Sequence, residues 1–112
     1  MATFYHTGSD ILSGQSLARV DSLVLGTVNA PFKRAIDAET LEKCLKTGHV
    51  APWLPHVSTF FSEVEPRLVL AFAKRHGISA PRLAGTYMSV KQETGIGSEV
   101  LETSLVPLAN PA

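Results

Sequence analysis

Between residues 62 and 77 the sequence reads SEVEPRLVLAFAKRHG, and this run constrains the fold more than any other. Val64, Leu68, Ala71 and Phe72 recur at helical spacing. Pro66 holds the start of the helix close to itself, because proline is tolerated only in a first turn. Ser62 with Glu65 matches the Ser-x-x-Glu capping box, the cations of Lys74-Arg75-His76 suit a C-terminal dipole, and Gly77 supplies the stop. Val69 and Leu70 widen the apolar surface, so a helix over about Glu63 to His76 is expected to be buried on more than one side and to act as a central packing unit.

A second helix is predicted just upstream. Asp37 is its N-cap, Ala38, Leu41 and Leu45 share one face with Cys44 beside it, Glu39 and Glu42 occupy the first turns, and Gly48 ends it. The segment HVAPWLPHV, residues 49–57, carries two prolines and the only tryptophan. It reads as a loop anchored by Trp53 and Leu54. His49 and His56 stand seven residues apart there, but no neighbouring Cys, Asp or Glu completes a ligand set, so no metal site is predicted.

The remaining segments read as extended. Residues 2–7 alternate like a strand and turn at Thr7-Gly8-Ser9-Asp10. Residues 15–20 and 22–28 contain a short β-prone core of Leu23-Val24-Leu25, and Ser58-Thr59-Phe60-Phe61 is a β-prone run entering the helix. Leu83 to Lys91 reads as a strand with Thr86, Met88 and Val90 on one face, residues 93–98 as a loop, and Val100 to Val106 as a second extended run. The expected fold is therefore α+β: a short split antiparallel sheet with two main helices in one domain over residues 1–112, of which 107–112 form a frayed tail.

Composition narrows the function classes. Ten basic and ten acidic residues leave no formal net charge, which argues against a binder that holds nucleic acid through bulk positive charge. Cys44 is the only cysteine, excluding an intramolecular disulfide and a cysteine-based zinc site, and its helical setting marks it as structural. No basic-then-apolar leader and no run of about twenty apolar residues is present, so a protein of the cytoplasm with no membrane partner is expected. There is no Gly-x-Ser-x-Gly elbow. Gly95-Ile96-Gly97 lacks the following helix that a phosphate cradle needs.

Two stretches carry a resemblance. Phe4-Tyr5-His6-Thr7-Gly8, with Leu12 and Gly14, resembles the opening strand of the ADP-ribosyltransferase-like superfamily, where Tyr-His-Gly-Thr begins an NAD-binding split sheet. Ser58 to Glu63 leading into the 68–73 helix resembles that superfamily's next landmark, and the opening is also similar to small bacterial and phage proteins. The resemblance implies an NAD-binding domain that modifies a protein or nucleic-acid target. Tyr5, His6, Thr7 and Gly8 would hold the cofactor, Ser58 and Thr59 would shape the site, and Phe60 or Phe61 would stack on a ring. This chain departs from the pattern in reading Thr7-Gly8 where the family reads Gly-Thr, and in lacking a late Glu-x-Glu or Gln-x-Glu. Glu93, Glu99 and Glu102 stand as catalytic candidates by position alone. The alternative is a non-enzymatic small module that binds a nucleotide or a protein partner, a reading that an exposed apolar patch around Trp53 would favour.

Overall fold

The computed structural model describes the backbone of residues 14–109 and the side chains of residues 19–105. Every regular element among the described residues is helical. The order is α1 (Gly14–Asn29), α2 (Ala38–Thr47), a 3-10 turn (Ala51–Trp53), α3 (Leu54–Glu63), α4 (Pro66–Arg75), α5 (Ala80–Thr94) and α6 (Glu99–Ala109).

This overturns the α+β expectation with its split antiparallel sheet: no strand occurs among the described residues. The runs read as strands are β-prone by composition, but their apolar residues fall at helical spacing. Val20, Val24 and Val28 lie one turn apart along α1, each 2% exposed or less. Leu83, Tyr87 and Val90 do the same on α5, and Leu101 and Leu105 on α6. A β-branched or aromatic residue loses only a few tenths of a kcal/mol by being helical, roughly 0.5. Burying its side chain contributes about 1.5–3 kcal/mol, so the packing decides. The strand assigned to residues 2–7 lies outside the described residues.

α3 sits at the middle. It packs against α1, α4 and α5, and six consecutive residues from His56 to Phe61 are buried, which only a helix covered on nearly all sides allows. α4 packs on α1 and α6, and α5 pairs with α6 and also touches α2. An edge-to-face chain of rings runs through this core. Phe72 on α4 meets Phe60 at 5.5 Å, Phe60 meets Phe61 at 5.1 Å, and Phe61 meets Tyr87 on α5 at 5.2 Å.

Pro52 and Pro55, read from sequence as breakers, open helical structure instead, as Pro66 was expected to. Pro52, Pro55, Pro66 and Pro81 each occupy a first or second helical position, where the missing N–H has no intrahelical partner to lose. The 49–57 loop is consequently the 3-10 turn and the start of α3. α4 begins at Pro66 with Glu65 as N-cap and no side-chain cap, because Ser62 belongs to the last turn of α3. α2 follows its expectation closely. Asp37 Oδ1 accepts from Thr40 N–H at 2.7 Å, and Gly48 closes the helix at φ +76°, donating its N–H to Cys44 O at 2.9 Å. Between α1 and α2, Asn29 clamps the loop with two bonds to the backbone of Ile36, at 2.8 and 3.2 Å. No helix among the described residues is long and apolar enough to cross a membrane.

Candidate functional site

The residues singled out in the sequence do not share one location. Tyr5, His6, Thr7 and Gly8 lie outside the described residues. Ser58, Thr59, Phe60 and Phe61 are buried in α3, and the two phenylalanine rings are at the centre of the core. Glu93 is exposed near the end of α5, and Glu99 is exposed in the first turn of α6.

Glu102 is committed to packing. It accepts from the Tyr87 hydroxyl and from Lys91 Nζ, while the Tyr87 oxygen accepts the Ser98 N–H at 2.8 Å. Lys91 first and Tyr87 second hold the Glu102 carboxyl below the usual carboxylate range. Burial, then the Glu102 contact, pushes the Tyr87 phenol up. The result is a clasp that closes α5 onto α6.

A second polar cluster joins three helices. His76 lies just past the end of α4. Its Nε2 faces Asp21 Oδ1 of α1 at 2.9 Å, and its Nδ1 faces Glu42 Oε1 of α2 at 2.8 Å. The other oxygen of Asp21 accepts from Arg75 Nε at 2.8 Å, and the other oxygen of Glu42 accepts from Lys46 Nζ at 2.9 Å. The Phe72 ring covers the imidazole at 4.2 Å. Each of the four carboxylate oxygens has a polar partner inside the cluster, so these groups are engaged within the molecule. His56 is also internal: its ring packs between Phe32 at 4.5 Å and Trp53 at 5.1 Å, and Nε2 donates to Arg34 O at 2.6 Å.

An open surface groove of about 420 Å³ lies between α2 and the segment that ends in the 3-10 turn, lined by Thr40, Lys43, Cys44, Thr47, His49, Pro52 and Trp53. The local sequence builds it. Thr40, Cys44 and Thr47 follow one another by turns of α2, beside the stripe of Leu41 and Leu45 that faces the core. Gly48 then reverses the chain, and Pro52 starts the 3-10 turn that sets Trp53 opposite. The Arg34 guanidinium lies over the indole at 4.0 Å.

Several polar groups around the groove are already engaged. Asp37 Oδ1 takes the Thr40 N–H at 2.7 Å, and the Thr47 hydroxyl donates to Lys43 O at 2.7 Å and accepts from His49 N–H at 3.1 Å. Burial pushes the Cys44 thiol up, away from the thiolate that nucleophilic chemistry requires. Lys43 and His49 therefore provide the groove's polar character on an otherwise apolar surface.

Sequence reading singled out Trp53 and His49 but placed neither in a groove with α2. The signal was available: an amphipathic helix, a Gly stop and a proline-initiated turn in direct succession force the tryptophan back beside the helix. No group of three or more metal-ligating side chains occurs among the described residues. No protein-family model, curated protein or solved structure matches this chain.

Proposed function

We propose that this chain is a non-enzymatic helical binding module that docks a protein partner in the groove beside Trp53. The observation that carries the reading is the groove itself, an open and largely apolar trough with an indole on one wall. Exposed apolar surface around a half-buried tryptophan is a common anchor for a partner's side chain. Two features weigh against a catalytic use of the same surface. No carboxylate lines the groove, and the thiol within it is kept protonated by burial. The NAD reading depended on a split sheet, and the described residues form helices instead.

Trp53 is the only tryptophan, so its emission reports on the groove directly. Peptides selected from a random display library against the intact protein should change that emission on titration. They should also shift the amide resonances of Thr40, Cys44 and Trp53 more than those of α6. Selection that yields no binder, or binders that leave Trp53 and α2 unperturbed, overturns the reading.

A further inference from the structure

Resting on the binding reading above, the geometry points to the class of partner: a short extended peptide segment carrying one apolar side chain directly beside an aspartate or glutamate. Thr40 and Thr47 are seven steps apart along α2, or about 10 Å of helix at roughly 1.5 Å per step. That length matches about three residues of extended chain at roughly 3.3 Å each. The trough is open along its side, whereas pockets for small molecules typically enclose most of their ligand.

The lining is mostly apolar. With the Thr47 hydroxyl engaged internally, that residue offers mainly its methyl group, next to the Cys44 thiol, Pro52 and the indole. Such a surface rewards a buried apolar side chain and penalises an unpaired polar one.

The charge lining the groove is of one sign. The lining contains Lys43 and His49 and no acidic residue. Arg34 stands over the indole beside it, and an Arg82 guanidinium nitrogen comes within 4.0 Å of where a side chain on Gly48 would begin. The chain carries no formal net charge, so this basic rim is a local feature. The carboxylate nearest to Lys43 in its own helix is Glu39, at 3.9 Å, with the two side chains 74% and 79% exposed. An ion pair so open to water is weak and readily exchanged. A carboxylate from a partner, brought against Lys43 by an apolar neighbour already seated on Trp53, replaces it at small cost and lowers the rate of escape.

The experiment compares selections. Random-peptide display is run against the wild type and against Lys43→Glu combined with His49→Glu, two exposed positions, after melting curves establish that both proteins are folded. The wild type should enrich peptides with Asp or Glu next to an aromatic or aliphatic residue. An enriched peptide should bind the reversed protein about ten-fold or more weakly, lose affinity as salt rises, and give way to Lys- or Arg-bearing peptides in the reversed selection. Peptides that map to the groove but show no acidic bias, or a bias that the reversal leaves unchanged, overturn this inference while the binding reading stands. Absence of any groove-binding peptide overturns both. If the double variant fails to fold, Lys43→Met serves in its place, and an unchanged affinity for the acidic peptide then counts against the inference.

Discussion

At the scale of the residue, side chains of similar type have very different weights. Leu68 and Phe72 both belong to the apolar pattern of α4, yet Phe72 is fully buried and Leu68 is only half-buried against the rim of the core. Phe72→Ala removes a ring that touches Phe60 and covers His76, and should cost about 3–5 kcal/mol. Leu68→Ala should cost less than half as much. Urea unfolding of the two variants checks the order, and equal losses would show that the burial is misjudged. Gly97 is a sharper case. A Cβ there would lie 2.5 Å from the Tyr87 hydroxyl oxygen and 3.1 Å from Lys91 Cδ. Lys91 can yield, but Tyr87 is 1% exposed, and its hydroxyl is held by Ser98 and Glu102. Gly97→Ala should therefore destabilise by about 1–3 kcal/mol, although its backbone is not left-handed. A variant as stable as the wild type in the same assay would mean that the clasp relaxes freely.

At the scale of the element, the legible parts were those whose ends are marked by a local chemical signal. α2 was readable to the residue because Asp37 and Gly48 delimit it, and the Gly77 stop was equally plain. The Trp53 wall was visible as an anchor without its groove, since the groove exists only once Gly48 and Pro52 have folded the chain back. α1, α3, α5 and α6 were lost for a common reason. Phe60-Phe61 and Leu23-Val24-Leu25 carry strand-prone side chains, and which period they obey depends on neighbours far along the chain: α3 is helical around a core filled by α1, α4 and α5. The left-handed cap of α2 gives this scale its test. Gly48→Ala forces a Cβ into φ +76° with nothing nearer than the flexible end of Arg82 at 4.0 Å, so the loss comes from the backbone and should be about 1 kcal/mol. Asn at the same position should recover part of it, because asparagine tolerates that conformation better. Thermal melts of Gly48→Ala and Gly48→Asn decide the point, and an alanine variant no less stable than the asparagine one would contradict it.

At the scale of the whole molecule, two polar junctions divide the helices between them. Asp21, Glu42, Arg75 and His76 tie α1, α2 and the end of α4, whereas Tyr87, Lys91 and Glu102 tie α5 to α6. α3 is held chiefly by apolar packing at the centre. Each junction contains a glutamate whose carboxyl sits below its ordinary value of 4.5, Glu42 because of Lys46 and then His76, Glu102 because of Lys91 and then Tyr87. A carboxyl whose folded pKa is depressed contributes stability above its unfolded pKa and loses it as pH falls through the folded value. Resistance to urea should thus hold from neutrality down to 4.5 and decline below it, as both junctions take up protons in the same range. Glu42→Gln and Glu102→Gln should each lower the urea midpoint at neutral pH, and each should narrow the gap between neutral and acid midpoints. Their effects should add, since they act in separate junctions with no shared partner. A wild-type midpoint that is the same at about pH 3 as at neutrality would show that these carboxylates do not stabilise the fold. A double variant whose acid sensitivity matches the wild type would place the titrating groups elsewhere.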